Sequence, residues 1–307
     1  MERVGQEFTH YWGELRAQLT ARMSACTRVF FGDLSAPDVH TIEGVIRDGK
    51  KIRGCTVLAV CDALGGSIER ALPSAVAIEC VHAASLVHDD IVDGDRTRRQ
   101  RPAAWIVHGR RRAVLLGDVI FATALQRSAE IGREEVLTLS RAIAMVAAGA
   151  YKETLDARES ATVLADGTHA CSVYEQIIYL KTGALFAAAA ELGAIAAKAA
   201  QPLRNAAFQF GARMGEAYQI ADDLQDVLDR SGAAARSAQE LAIMATLHSH
   251  FDLPPNADAA LVAAMKTEIR RRIALALQAL VSFPEGSRVA LLRALPTAIV
   301  EPMIAAA

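Results

Sequence analysis

Apolar residues return along this chain every three or four positions, the spacing that lays one face of a helix against a core. No run alternates apolar with polar residues between hairpin turns, as half-buried strands would. The pattern predicts helices over about 2–25, 37–47, 51–65, 73–92, 110–131, 134–157, 172–198, 203–229, 237–249, 257–282 and 285–294. Breaks fall at Gly65-Gly66, Pro102, Gly167, Pro202, Gly232, Pro254-Pro255 and Pro284, where glycine and proline interrupt regular structure. The longest polar stretch between helices is RESATVLADGTHA at 158–170. No linker is long or polar enough to divide the chain, so the expectation is one all-α domain over 1–307.

Composition narrows this picture. Of the 307 residues 52% are hydrophobic but only 5% aromatic, so the core is built mainly from Ala, Leu, Val and Ile, and alanine favours closely packed helices. A net charge of −2 argues against a nucleic-acid partner, which calls for a basic face. Cys26, Cys55, Cys61, Cys80 and Cys171 are scattered and form no CxxC pair. Such usage suits reduced thiols in a cytoplasmic protein better than a disulfide framework or a zinc site. The start, MERVGQEFTHYWGEL, carries charges where a secretory signal needs an apolar core. The most apolar stretch, TGALFAAAAELGAIAAKAAQ, is interrupted by Glu191 and Lys198. It is expected to be a buried helix, leaving no transmembrane segment.

The chemistry concentrates in two places. LVHDDIVDGDRTRRQRP (86–102) gathers four aspartates and four arginines in seventeen residues, and QIADDLQD (219–226) repeats the DDxxD spacing. Residues four apart share a helix face, so Asp89 and Asp93 point one way with Asp90 beside them. Asp222, Asp226 and Asp223 repeat the arrangement. Like charges at that spacing destabilise an isolated helix by a few tenths of a kcal/mol per pair, a cost that a bound cation would reverse. Carboxylates suit hard divalent ions, and magnesium combines a few of them with waters and substrate phosphates. One such motif is an ordinary solvated helix end; two, each closing a helix with apolar preceding turns, are not. Arg98 and Arg99 could fork onto phosphate oxygens, whereas Arg96, Arg101 and Arg110 to Arg112 read as a solvated face. His82, seven residues before Asp89, and Gln219, three before Asp222, lie on the same faces as those aspartates.

In chain order, DGKKIRG (48–54), VHAASLVHDDIVD (81–93), RRQRP (98–102), LLGDVIFATALQ (115–126), LKTGALF (180–186) and QIADDLQD (219–226) together resemble the motifs of the trans-isoprenyl diphosphate synthases, the polyprenyl synthetase family. The resemblance implies a single isoprenoid synthase helical bundle around a deep central cavity, acting as a magnesium-dependent prenyltransferase and a homodimer. It would join isopentenyl diphosphate to an allylic diphosphate. By motif matching, Asp89, Asp90, Asp93, Asp222, Asp223 and Asp226 would hold magnesium. Arg98, Lys181, Thr182 and Gln219 would contact the allylic diphosphate, and Lys50, Arg53, His82 and Arg99 the isopentenyl diphosphate. Lys50 is preferred over Lys51 by the motif alone.

The chain also departs from the family. Its first basic motif ends Arg53-Gly54 instead of arginine-proline, Ala150 follows Gly149 where a glutamine is usual, and no lysine occurs between Lys198 and Lys266. The family's closing-loop lysines are therefore missing, with Arg230 and Arg236 as the nearby cations. A terpene synthase on the same fold would not need Lys50, Arg53 and Arg99. A regulatory subunit of a heteromeric synthase would account for the altered loop but not for two complete aspartate motifs. A helical interaction protein with acidic patches accounts for neither. Family members with short products place an aromatic residue near the position of Ser85 as a floor. Here Ala84 and Ser85 are small, with Val81, Phe121 and Leu125 as deeper candidates, which points to geranylgeranyl diphosphate or longer. Substituting Ser85→Phe is expected to shorten the product; an unchanged product length on chain-length analysis would remove Ser85 from the pocket.

Overall fold

A computed structural model of the protein describes residues 2–32, 35–47, 49–153, 173–230 and 238–305. The predicted loop 158–170, Cys171, Asp48 and Arg236 lie outside the described residues, as does the side chain of Arg230. Thirteen α-helices are labelled here: α1 (Glu2–Phe30), α2 (Ala36–Arg47), α3 (Ile52–Ala63), α4 (Ile68–Val92), α5 (Ala104–His108), α6 (Arg110–Ile131), α7 (Arg133–Glu153), α8 (Val173–Ile178), α9 (Ala184–Ala196), α10 (Gln201–Arg230), α11 (Ala238–His250), α12 (Asp258–Ala279) and α13 (Ser287–Ala305). Among the described residues, β-structure is confined to one antiparallel hairpin, β1 (Thr97–Arg98) with β2 (Arg101–Pro102). The all-α expectation is met.

Four elements differ from the sequence pattern. The apolar run expected as one helix over 172–198 is broken by a π-helical turn, Tyr179–Gly183, between α8 and α9. The hairpin and α5 were not expected, because Pro102 and the charged run around it hide any periodicity. The last helix, expected to end at 294, continues to Ala305 through Pro296 and Pro302. Each interior proline costs about 3 kcal/mol. Against that, Leu295, Val300, Met303 and Ile304 are all buried beyond residue 294, each worth roughly 1.5–3 kcal/mol. Packing therefore outweighs propensity.

The chain groups into two compact units. One comprises Met1–Ile143, Ala188–Phe208 and Phe283–Leu292; the other comprises Ala144–Ala187, Gln209–Ser282 and Arg293–Ala307. The first is centred on α3 and α4, and α3 is buried at every position except Asp62. Asp62 ties three helices of this unit together. It accepts a 2.8 Å hydrogen bond from the Tyr11 hydroxyl and lies 3.2 Å from the Arg288 guanidinium, which itself sits over the Tyr11 ring. The second unit is closed by Tyr174, Ile178, Ile220, Leu224, Met265 and Ile269 with their apolar neighbours. Arg272, 4% exposed, binds it internally. Its guanidinium donates to Glu216 at 2.7 Å, Glu268 at 2.6 Å and Glu175 at 2.5 Å.

Two helical stretches, Ile68–Val92 and Val173–Ala196, are long and apolar enough to cross a membrane. Their most apolar windows are 78% and 72% buried within the protein, as core helices are.

The Arg53-Gly54 ending of the first basic motif has a structural reason. No side chain caps the start of α3 at Lys51. The Gly54 N–H instead donates at 2.7 Å to Glu79, a buried carboxylate on α4. The acid thus satisfies a first-turn donor and faces the positive end of the helix dipole. A Cβ at Gly54 would lie 2.5 Å from Leu19 Cδ2 and 3.0 Å from the Ala75 carbonyl. Proline is tolerable in a first helical turn, so the cost of Gly54→Pro comes from the lost bond to Glu79 and from the clash. This substitution is expected to destabilise the protein by about 3 kcal/mol, read as a lower urea midpoint. A midpoint equal to the parent's would show that Glu79 does not cap α3.

Candidate active site

Helix α4 is buried along most of its length, but one stripe stays open. His82, Leu86, Asp89 and Asp93 follow one another at steps of four, three and four, and are half-buried or exposed. Asp90 falls off the stripe and is 3% exposed. It accepts a 2.7 Å hydrogen bond from Arg98 Nε and a second, shorter one from Nη2. Burial raises the Asp90 pKa, and the Arg98 bonds oppose the rise. Arg98 also reaches Asp95 at 3.3 Å. The first and last aspartates of the motif therefore face outward, while the middle one turns in and is clamped by arginine.

The same division appears on α10. Asp222 and Asp226 are exposed, Gln219 lies on that face with them, and Asp223 is half-buried against its partners. Both Asp223 oxygens are engaged: the Tyr174 hydroxyl donates at 2.6 Å and the Gln219 amide at 2.8 Å. Burial lifts the Asp223 pKa to about 6 against these two bonds and the nearby Lys181 charge. The Thr182 hydroxyl donates at 2.5 Å to the Gln219 side-chain oxygen Oε1. Lys181 and Thr182 themselves lie on the π-helical turn, a distortion that recurs at functional sites. Gly149 of α7 allows close approach here, since a Cβ there would lie 2.9 Å from the Lys181 backbone nitrogen. The second unit thus joins Lys181, Thr182, Gln219 and Asp223 in one connected cluster. Tyr174 belongs to it and was missed, because a lone tyrosine ahead of an apolar run reads as core.

The first carboxylate cluster occupies the last turn of α4 and its C-cap, where the dipole disfavours anions by roughly 0.3–1 kcal/mol per charge; on α10 only Asp226 approaches the last turn. A cation relieves that penalty. Among the described residues no three His, Cys, Asp or Glu side chains converge as a metal cage. Two outward carboxylates per motif instead fit magnesium, which takes one or two carboxylates and completes its shell with water and substrate phosphates.

The expected cations assemble beside α4 in the first unit. Lys51 is 4% exposed and its ammonium donates to the Ile46 carbonyl, whereas Lys50 is exposed. Accessibility thus separates two residues that composition could not. The Arg99 guanidinium lies against Gly49, within 2.7 Å of where a Cβ would stand. Burial, followed by the charges of Arg53 and Arg99, holds the His82 imidazole well below its usual range, so it is neutral. Of the chain-length candidates, Val81 and Ala84 are fully buried and Ser85 is 9% exposed, its hydroxyl donating to the His82 carbonyl at 2.9 Å. Phe121 is half-buried and packs at 5.6 Å on the ring of His88.

These features agree with comparisons to known proteins. The polyprenyl synthetase family matches residues 40–240. A geranylfarnesyl diphosphate synthase of Methanosarcina mazei is 35% identical over 181 residues, covering 59% of each chain. Component 2 of a heptaprenyl diphosphate synthase from Geobacillus stearothermophilus is 34% identical over 197 residues, covering 64% of this chain and 58% of that protein. The chain thus spans under two thirds of these relatives' length. Over the whole fold, a decaprenyl diphosphate synthase from Rhodobacter capsulatus superposes with a TM-score of 0.72 at 25% identity, covering 98% of this chain and 99% of the other. A polyprenyl synthase from Caulobacter crescentus, solved with calcium and isoprenyl diphosphate, gives 0.73 at 24% identity, covering 97% of both chains. With its ordered motifs lying inside a family match that covers well over half of its length, this chain belongs to the polyprenyl synthetase family.

Proposed function

We propose that the protein is a magnesium-dependent trans-prenyltransferase. It joins isopentenyl diphosphate to an allylic diphosphate and releases geranylgeranyl diphosphate or a longer prenyl diphosphate. The observation that carries this reading is the repeated division of labour within the two DDxxD motifs. Each turns its first and last carboxylates outward and fastens the middle one to the protein.

Asp89, Asp93, Asp222 and Asp226 would hold magnesium, with Asp90 and Asp223 keeping their helices in register beneath them. Magnesium, when bound, supplies Lewis-acid stabilisation of the departing diphosphate. The allylic C–O bond breaks and its electron pair leaves with the diphosphate. The double bond of isopentenyl diphosphate then attacks the allylic cation, and a proton is lost to restore the alkene. Arg98, Lys181, Thr182 and Gln219 would grip the allylic diphosphate, and Lys50, Arg53 and Arg99 the isopentenyl diphosphate. Neutral His82 would add a hydrogen bond there without adding charge. The buried apolar residues below the stripe, Val81 and Ala84 among them, keep water from quenching the cation. Small Ser85 leaves depth for a long tail.

A second reading, a subunit of a heteromeric synthase, rests on the relative described as a synthase component and on the absence of lysine between Lys198 and Lys266. A radiolabel assay with isopentenyl diphosphate, each allylic diphosphate in turn and magnesium separates the two. Elongated product is expected, falling at least about a hundredfold in Asp89→Ala and in Asp222→Ala, as for loss of a transition-state electrostatic contact. Release of hydrocarbon or alcohol without isopentenyl uptake would make it a terpene synthase. Turnover only after mixing with a second kind of subunit would favour the heteromer.

A further inference from the structure

The hairpin that carries Arg98 and Arg99 is too small to hold itself. Its strands have two residues each, and a two-stranded ribbon is marginal even when longer. Its turn is also strained. Arg99 and Gln100 sit at φ 52° and 62°, so both central residues are left-handed without being glycine. Two-residue hairpins ask for that conformation and normally meet it with Asn-Gly or Gly. Such strain persists only where the surroundings over-determine it.

Trp105, on the short helix α5 just after the hairpin, supplies that constraint. Its indole N–H donates to the Asp95 carbonyl at 2.7 Å, and the Asp95 carboxylate takes the 3.3 Å bond from Arg98. The guanidinium carbons of Arg96 and Arg110 lie over its ring, 5.9 Å and 5.0 Å from the centroid. The Ala103 N–H closes the base of the hairpin on the Arg96 carbonyl at 2.9 Å. The indole therefore grips residues on both sides of the hairpin: Asp95 and Arg96 before it, Arg110 after it. At the far end, Arg98 is fastened to Asp90 and Arg99 lies against Gly49.

We propose that Trp105 is a positioning residue for diphosphate binding. It holds the 95–103 segment so that Arg98 and Arg99 are presented, already ordered, to the diphosphate ends of the two substrates. This rests on the prenyltransferase reading for what those ends belong to; the geometry of the clamp does not. The consequence is a selective one: loosening the clamp weakens substrate binding and leaves the ionisation chemistry of the aspartates in place.

The test combines kinetics with the indole's own emission. Trp105→Phe keeps a ring under the two arginines but removes the N–H, and Trp105→Ala removes both. The KM for each diphosphate substrate should rise about threefold in the first and about tenfold or more in the second, with kcat changed less than about twofold. The chain has two tryptophans, and Trp12 stacks on Phe8 in α1, so a Trp12→Phe background leaves Trp105 as the single reporter. Adding magnesium with inorganic pyrophosphate should shift its emission saturably, and Arg99→Ala should abolish the shift. The proposal is overturned if both KM values in Trp105→Ala stay within about twofold of the parent's with the circular dichroism unchanged. It is equally overturned if saturating pyrophosphate leaves the emission unmoved. Should Trp105→Ala fail to fold, Trp105→Phe carries the same comparison. Should the parent elongate nothing, the prenyltransferase reading falls, and the emission titration still decides whether the clamp serves a diphosphate.

Discussion

Everything around the candidate site answers one electrostatic problem: carboxylates four residues apart on one face of each of two helices. Left to themselves these charges repel one another. The protein resolves the problem in the same way twice. The middle aspartate of each motif is bonded to the protein, buried Asp90 by Arg98 and half-buried Asp223 by Tyr174 and Gln219. The outer pair is left on the open face, where a cation and its waters fit. Burying the middle acid would be expensive without partners, so those partners are as much a requirement of the site as the aspartates themselves.

That requirement reaches into the packing. In the first unit it places an arginine hairpin over the end of α4 and fixes it with Trp105, Asp95 and Asp90. In the second it reaches a buried network. Arg272 bonds Glu175, adjacent to Tyr174, and Glu216, one turn before Gln219. The helices that carry the two ends of the Tyr174–Asp223 bond are thus held by one guanidinium. Removing one member of such a buried group costs several kcal/mol because it strands the others. The π-helical turn under Lys181 and Thr182 is accommodated by Gly149, where a side chain would strike the turn's backbone.

Departures from the family pattern acquire physical content in the same way. Gly54, in place of the usual proline, donates its N–H to buried Glu79 and leaves room for Leu19. That exchange comes with a specific partner.

The sequence by itself determined the helical class, most of the predicted helices to within a few residues at their ends, and the motifs that mark the site. Periodicity and side-chain chemistry are local properties, and a DDxxD repeat fixes its own helical face. Only the tertiary structure decided which aspartates are fastened, because that depends on how the hairpin folds Arg98 back onto Asp90 and on Tyr174 reaching Asp223 from 49 residues away. It buried Lys51 and left Lys50 exposed. It carried the last helix through two prolines, and it built a hairpin where the charges had hidden the pattern. It also grouped the chain into two compact units that no polar linker announces. In each case a local preference competes with non-local burial, and the burial of apolar or paired polar groups prevails.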